Sequence, residues 1–247
     1  MKKYIVNAVF FCAVLVPFMG ARAASPEITL SSMFATKYLE FSRGFVLHNE
    51  PVLQTDLLVT FTNGPVNGLY LDLWNSTGFD RWNNNLGDEI DYGIGWNGTI
   101  KGFGAHVGFT YLNEPNPLTF GSGDILYTHV RLTKDFKPFS VTLGYENHTT
   151  MPGSDFEGGN LVSLGVSRSF NFCESRFSLT TSLSSIYDFG GFGLDRGFFL
   201  KGSAGIGWNI NKHLTIAPLA VTYYVPLTVR DSRETDAVLF SGFILKF

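Results

Sequence analysis

Apolar and polar side chains alternate with a period of two along most of this 247-residue chain. Between residues 89 and 100, for example, Ile90, Tyr92 and Ile94 alternate with Asp91 and with glycines. A period of two places successive side chains on opposite faces of a β-strand. Beyond the amino-terminal segment, no apolar run reaches the roughly 18–20 residues that a membrane-spanning helix needs. The pattern therefore predicts β-sheet whose two faces meet different surroundings.

Twelve segments carry this alternation, and they begin near residues 27, 52, 68, 89, 104, 124, 138, 159, 175, 198, 213 and 236. The connections between them are alternately long and short. Short ones lie near residues 63–68, 101–104, 134–138, 171–175 and 211–213. Long ones lie near residues 37–51, 77–87, 113–123, 149–158, 189–197 and 230–235. Short periplasmic turns, longer extracellular loops and an even strand count are typical of transmembrane β-barrels. The spacing predicts an all-β fold, an antiparallel up-and-down transmembrane β-barrel of about 12 strands.

Alternation alone does not distinguish a membrane barrel from a soluble one, which buries its apolar face inside. Aromatic residues on the apolar faces favour the membrane, because they cluster near both ends of the segments. Those near the short turns are Phe61, Trp96, Phe139, Phe170, Phe177 and Trp208. Those near the long loops are Tyr38, Tyr111, Tyr145, Tyr187 and Phe198. Two aromatic girdles are expected where the rings lie at the level of the lipid headgroups.

The last segment alternates up to the final residue of the chain. Phe243, Leu245 and Phe247 lie on its apolar face, and Phe247 is terminal. Pairing of this strand with the first would remove edges that lipid cannot satisfy by hydrogen bonding. The terminal aromatic residue resembles the assembly signal of Gram-negative outer-membrane proteins, which implies recognition by the barrel-assembly machinery.

The amino terminus has the features of an export signal. Lys2 and Lys3 precede an apolar stretch, and the small-residue motif Ala21-Arg22-Ala23 follows it. This order is typical of a cleaved secretory signal peptide. We therefore predict a signal peptide over residues 1–23 and one barrel domain over residues 24–247. An uncleaved anchor is the alternative, and Asn7 and Pro17 inside the stretch argue against it.

The charge of the chain excludes some partners. The formal net charge is −3, the sequence pI is about 5.9, and only 16% of residues are charged, against about 25% in average soluble domains. No basic stripe is present that could follow a phosphate backbone, so we expect no nucleic-acid partner. After cleavage, Cys173 would be the only cysteine, so the mature chain would have no internal disulfide.

The region around the first long loop resembles a family of largely uncharacterised proteobacterial outer-membrane β-barrels. The shared pattern is an aromatic residue, an Arg-Gly step, and then a proline and a glutamine entering the second strand. Here these residues are Tyr38, Arg43-Gly44, Pro51 and Gln54. Later residues that fit the same family are Gly68, Leu69, Tyr70, Trp74, Glu89, Ile90, Asp91, Gly95 and Gly108. The resemblance implies a barrel in the cell outer membrane and supplies no established substrate.

The sequence contains no motif of a known active site. None of the five histidines forms His-Glu-x-x-His, Cys173 has no second cysteine for a structural zinc site, and Gly-x-Ser-x-Gly is absent. We therefore predict no catalytic residue, no metal and no cofactor. An outer-membrane lipid hydrolase whose triad converges from separate strands stays open as an alternative.

The positions opposite the apolar faces predict the lining of the barrel. The candidates are Gln54, Asp56, Tyr70, Asp72, Asp91, Asn97, His106, His129, Arg131, Glu146 and Lys201. Strand pairing across the loop near 113–123 predicts that His106 lies close to Arg131. Two interpretations compete: these groups fill the interior, or they line a narrow path for small solutes. Inward glycine, serine and threonine residues leave room, which favours a narrow channel. Because both signs of charge occur, weak ionic selectivity is expected.

The long loops carry charges that we predict to be exposed outside. They are Arg43, His48, Asp80, Arg81, Asp155, Glu157, Asp195, Arg196, Arg230, Asp231, Arg233 and Glu234. These residues are either only solvated or bind a ligand such as the phosphates of lipopolysaccharide. A structural or surface-recognition barrel without conductance is therefore the alternative to a channel. The expected partners are outer-membrane lipids and lipopolysaccharide, the assembly machinery and small solutes.

Overall fold

The computed structural model describes residues 26–39, 42–44, 46–79, 89–113, 124–150, 157–191, 193–229 and 233–247. The predicted signal peptide, and Asp80, Arg81, Asp155, Arg230 and Asp231 of the predicted loop charges, lie outside the described residues. No helix in the described part of the chain is long and apolar enough to cross a membrane.

Fourteen strands form in the described residues, and twelve of them close into one antiparallel barrel. The barrel strands are β1 (Pro26–Ala35), β4 (Val52–Phe61), β5 (Leu69–Gly78), β6 (Glu89–Ile100), β7 (Phe103–Asn113), β8 (Ile125–Asp135), β9 (Ser140–Thr150), β10 (Gly159–Phe172), β11 (Phe177–Asp188), β12 (Gly197–Asn209), β13 (Leu214–Pro226) and β14 (Asp236–Lys246). The remaining two, β2 (Tyr38–Leu39) and β3 (Val46–His48), form a separate hairpin. Every predicted strand start lies within two residues of the observed one, so the twelve-strand prediction is confirmed.

The barrel closes between its first and last strands. β1 pairs with β14 from Thr29 opposite Lys246 to Ala35 opposite Phe240. Beyond this register, the backbone N–H of Phe247 donates to Ile28 O at 2.9 Å, and the Ile28 N–H donates to Phe247 O at 3.2 Å. Because each of the twelve barrel strands then has two neighbours, the described barrel has no open edge for the surroundings to satisfy.

The outer face of the barrel is apolar and exposed, while the inner face is polar. Leu164 and Leu183 lie in the middle of β10 and β11 with 56% and 57% of their surface exposed. Gln54 and His129, by contrast, lie on the inward register and are each only 6% exposed. This reversal of a soluble core is the arrangement that a lipid bilayer stabilises. The protein is therefore a membrane-spanning barrel, as the aromatic girdles and the terminal strand predict.

Exposed aromatic side chains lie at both ends of the outer face, as the girdle prediction requires. Phe139 and Trp208 are exposed near the short turns, and Tyr145 and Phe198 are exposed near the long loops. Phe61 differs, because it is buried in a cluster with Val59 and Leu71. Val66 of the 3-10 turn Gly64–Val66 packs against this cluster.

The first long connection folds into the barrel. We call its described part the plug segment (residues 36–39, 42–44 and 46–51). Tyr38 and Leu39 are buried in one apolar cluster with inward residues of the barrel wall: Leu161, Ile186, Phe199, Tyr224 and Val238. The girdle prediction for Tyr38 is wrong, because its ring packs inside the barrel. The apolar rings and aliphatic side chains on this part of the inner wall stabilise an inward position more than exposure at the rim.

Gly44 in the plug segment is required by its backbone and by its neighbour. Its φ of +72° lies in the left-handed region, which favours glycine. A Cβ at this position would also lie 2.5 Å from Cδ1 of Tyr224. The Arg-Gly step singled out in the sequence therefore allows the plug segment to turn tightly against β13.

Candidate functional site

The inward side chains surround two adjoining cavities. The first has a volume of about 400 Å³, and the second has a volume of about 300 Å³. The predicted residues that line the first cavity are Asp56, Tyr70, Asp72, Asp91, Asn97, His106, His129 and Arg131. Glu146 and Lys201 line the second. Gln54 is buried on β4 and lines neither cavity. Arg131 and Ser42 of the plug segment contribute to both cavities, so they lie between them.

Charges of opposite sign are separated across the lumen. Asp56 on β4, Asp72 on β5, and Glu89 and Asp91 on β6 put four carboxylates around the first cavity, with Arg131 as its one described Lys or Arg residue. Arg131 and Lys201 line the second cavity, with Glu146 as its one described carboxylate. The interior therefore has an acidic side and a basic side instead of interleaved charges.

The basic side is connected by hydrogen bonds. The Arg131 guanidinium lies 3.0 Å from a Glu146 carboxylate oxygen and donates to the Tyr127 hydroxyl at 3.2 Å. His106 lies directly opposite Arg131 in the pairing of β7 with β8, which confirms the predicted proximity. These contacts hold the guanidinium between the two cavities.

A continuous stack of five rings follows the inner wall across β5, β7, β8 and β9. Successive centroids are 5.2 Å apart from Tyr70 to His106, 4.6 Å from His106 to His129, 4.9 Å from His129 to Tyr127, and 4.9 Å from Tyr127 to His148. Tyr127 and His148 are not among the lining residues predicted from the sequence. The signal for Tyr127 was present, because it precedes His129 by two residues and therefore shares its face.

Two glycines leave space for the first ring of this stack. Gly95 and Gly108 lie opposite one another in the pairing of β6 with β7. A Cβ on either residue would collide with the phenol of Tyr70, and one on Gly108 would also lie 2.5 Å from Nε2 of His129. Glycine inside a strand often marks such a close approach. The Tyr70 phenol is therefore held against the wall of the first cavity.

A buried ion-pair network fastens the plug segment. Arg43 Nη1 lies 2.6 Å from Asp188 Oδ1, and Arg233 Nη1 lies 2.8 Å from Asp188 Oδ2. Arg233 also donates to the backbone oxygen of Asp195 at 2.7 Å. Arg43 and Asp188 are completely buried. Both oxygens of one carboxylate thus hold two guanidinium groups, one from the plug segment and one from the chain just before β14.

This network corrects two predictions for the long loops. Arg43 and Arg233 were expected to be exposed outside the barrel, and both are buried. The pairing with Asp188 offsets part of the cost of taking them out of water. The described loop charges Glu157, Asp195, Arg196 and Glu234 are exposed, as predicted, and His48 is half-buried.

Two further contacts fix the beginning of the plug segment. The Tyr38 hydroxyl donates to the Glu89 carboxylate, and its ring packs at 5.7 Å from the ring of Trp74. Lys37 Nζ lies 2.7 Å from Asp236 Oδ1. The Arg43 guanidinium also lies 3.4 Å from Nδ1 of His148, which joins the plug segment to the ring stack.

Comparison with known proteins supports the fold. No protein-family model matches this chain, and no curated protein matches it. It is similar to the structure of a KdgM porin, with a TM-score of 0.54 and 10% identity over 90% of this chain and 99% of that one. It is also similar to the COG4313 outer membrane channel from Pseudomonas putida F1, with a TM-score of 0.50 and 12% identity over 91% and 96% of the two chains. At such low identity the likeness shows the fold, which is that of an outer-membrane β-barrel.

Proposed function

We propose that this outer-membrane protein is a narrow channel through which small solutes pass passively, without a reaction being catalysed on them. The observation that carries the proposal is the pair of cavities, of about 400 and 300 Å³, that charged and aromatic side chains line inside a closed barrel. A barrel whose interior served only as filling would close such space with paired side chains. The two similar structures described above are named as a porin and a channel, which agrees with the proposal.

The carboxylates of the first cavity favour passage of cations. The side chains of Asp56 and Asp72 hydrogen-bond to each other, so the two carboxyl groups share one proton and keep one negative charge in the lumen. Carboxylate oxygens in such a position are stabilised by water or by a cation in the lumen. Because the acidic and basic residues lie on opposite sides, we expect a preference for cations instead of the weak selectivity predicted from mixed charge.

The plug segment sets the size limit in this proposal. It lies across the lumen at the end of the barrel that carries the long loops, and it is fastened to three barrel strands or their ends through Asp188, Glu89 and Asp236. We propose that conductance is small while these contacts hold and that it rises when the plug segment moves.

Planar-bilayer recording of the refolded protein tests the channel directly. We expect small, discrete conductance steps in potassium chloride and a reversal potential that favours potassium over chloride. Heat-modifiable gel migration shows whether the barrel is folded in the same preparation. A folded barrel with no conductance above the lipid background would contradict the proposal and favour the structural or surface-recognition alternative.

The partners follow from the same proposal. We propose that outer-membrane lipids and lipopolysaccharide surround the apolar belt and that small solutes enter from the extracellular side. The terminal strand with Phe243, Leu245 and Phe247 is proposed as the signal for the barrel-assembly machinery. Phe243 and Phe247 are exposed on the outer face, where an assembly factor can reach them.

A further inference from the structure

Three potential metal-ligand atoms converge on one point of the lumen wall. Nε2 of His106 and Nε2 of His129 lie 2.5 Å apart, and the Tyr70 hydroxyl oxygen lies 3.2 and 3.3 Å from them. The three residues come from β7, β8 and β5, so strand pairing brings them together. Among the described residues, no group of three or more His, Cys, Asp or Glu side chains could hold a metal ion. The third atom in this group is instead a phenol oxygen.

We propose that His106, His129 and Tyr70 bind a divalent transition-metal cation of the zinc or copper type. Imidazole nitrogen is a preferred ligand of both ions. Bonds of about 2.0–2.1 Å at tetrahedral or square-planar angles place neighbouring ligand atoms about 2.9–3.4 Å apart. The Tyr70 oxygen already lies within this range of both nitrogens, and the two Nε2 atoms must move apart by about 0.4 Å when the ion binds. The remaining coordination positions then face the cavity and are filled by water.

The hydrogen bond on the far side of His106 orients this ring for metal binding. Nδ1 of His106 contacts the side-chain oxygen Oδ1 of Asn97. Since an amide oxygen only accepts, Nδ1 carries the proton, and the lone pair of Nε2 points towards His129 and Tyr70. Metal-binding histidines are commonly held in this way by an acceptor on the second nitrogen. Asn97 is therefore a positioning residue of the proposed site.

His129 is held at the lumen wall by burial and by the space that two glycines leave. Only 6% of this residue is exposed, and its Nδ1 makes no hydrogen bond with the described residues. Gly95 and Gly108 leave the space in which the ligand atoms of Tyr70 and His129 lie, and a Cβ on Gly108 would occupy it. The lumen wall is therefore shaped around these atoms.

The surroundings provide access and favourable charge for a cation. All three side chains line the cavity of about 400 Å³, together with the carboxylates of Asp56 and Asp72. These two carboxyl groups share one proton, and the negative charge that remains attracts a cation through the water of the lumen. Because Arg131 has its own partner in Glu146, its charge is partly offset.

Metal titration of the folded barrel in detergent tests this site. Zinc binding is measured by calorimetry, and copper binding is followed by electron paramagnetic resonance, in which bound imidazole nitrogens split the signal. We expect one saturable high-affinity site and a spectrum with two nitrogens. The absence of saturable zinc binding by the folded wild-type barrel would overturn the inference.

Variants assign the binding to these residues. We expect His106→Asn and His129→Asn each to lose one imidazole splitting and to weaken zinc binding by about 10–100-fold, and Asn97→Ala to weaken it by about tenfold. His148→Gln is the matched control, because it removes an inward histidine of the same ring stack outside the proposed ligand set. Unchanged binding in the His106→Asn, His129→Asn double variant would overturn the inference, as would equal loss in His148→Gln.

A second measurement uses the proposed channel function and depends on it. If the barrel conducts, micromolar zinc should reduce the potassium current of the wild type and leave that of the His106→Asn, His129→Asn variant unchanged. A conducting wild type that zinc does not affect would contradict a site in the lumen. A barrel that binds zinc but does not conduct would overturn the channel and support the metal site, so the two proposals fail separately.

Discussion

Asp188, the last residue of β11, holds Arg43 of the plug segment in a completely buried ion pair of 2.6 Å. The two residues are 145 positions apart in the chain. The contact therefore depends on the closed barrel and on the inward path of the first long connection. Replacement of Asp188 is therefore the most direct way to release the plug segment.

Replacement of Asp188 by Asn should loosen the plug segment. Two buried guanidinium groups, those of Arg43 and Arg233, would lose their carboxylate, and breaking a buried pair in this way costs about 3–5 kcal/mol. We expect a several-fold larger or more frequent opening in planar bilayers and a lower midpoint of urea unfolding. Glu234→Gln is the control, because Glu234 is exposed on the same side of the barrel. Equal conductance of Asp188→Asn and wild type would show that the plug segment does not control the conductance.

Charge substitutions in the lumen should shift ion selectivity in opposite directions. Asp91→Asn removes a carboxylate from the first cavity and should reduce the preference for potassium over chloride. Arg131→Gln removes the guanidinium between the cavities and should increase it. The measurement is the reversal potential in a potassium chloride gradient. Lys134→Gln is the control, because Lys134 lies on the outward register of β8, above the ring of Phe103. Reversal potentials that do not change would place both residues outside the ion path.

Addition of one methyl group at Gly108 should disturb the wall of the first cavity. Its Cβ would collide with the Tyr70 hydroxyl and lie 2.5 Å from Nε2 of His129. Overpacking of this kind costs about 1–3 kcal/mol. We expect Gly108→Ala to lower the urea midpoint and to weaken zinc binding.

Gly104→Ala provides a matched control in the same strand. A Cβ at Gly104 would have its nearest neighbour at 3.7 Å, an ordinary van der Waals distance. This variant should retain both the wild-type midpoint and wild-type metal binding. If both alanine variants lower the urea midpoint and weaken zinc binding equally, the cause is the change in strand propensity and not a collision with Tyr70.

Replacement of Phe247 by Ala should affect assembly in cells more than stability in vitro. The side chain is 68% exposed, so little packing is lost, and exposed substitutions usually change stability by less than about 0.5 kcal/mol. The backbone hydrogen bonds with Ile28 do not depend on the ring. We therefore expect less folded protein in the outer membrane but an unchanged urea midpoint after refolding. Phe136→Ala, at an exposed position beside a short turn, is the control. Normal membrane levels of Phe247→Ala would argue against an assembly signal.

The strands were predictable because membrane barrels impose one simple rule on the sequence. Side chains of one parity face lipid and those of the other face the lumen, so each inward candidate from Asp56 to Lys201 could be assigned by counting. Counting does not show which inward groups meet, because this depends on the stagger of neighbouring strands and on rotamers. The convergence of Tyr70, His106 and His129 therefore required three-dimensional coordinates.

The inward path of the plug segment was not predictable from local sequence. A charged residue such as Arg43 in a long polar connection is ordinarily solvated, and for this reason the sequence predicts that Arg43 is exposed. Its burial depends on Asp188 and Arg233, each of which comes from a different connection or strand end far along the chain. Only the Arg-Gly step gave a local signal, since Gly44 allows the tight turn beside Tyr224.

The order of these elements along the chain also has a consequence for biogenesis. The plug segment follows β1 directly, whereas its buried contacts lie mainly on β10 to β14 and on Arg233, near the carboxyl terminus. An intermediate that lacks its last strands lacks most of the surface on which the plug segment docks. We therefore expect the lumen to be unobstructed when insertion begins and the plug segment to dock last, once the seam between β14 and β1 has formed.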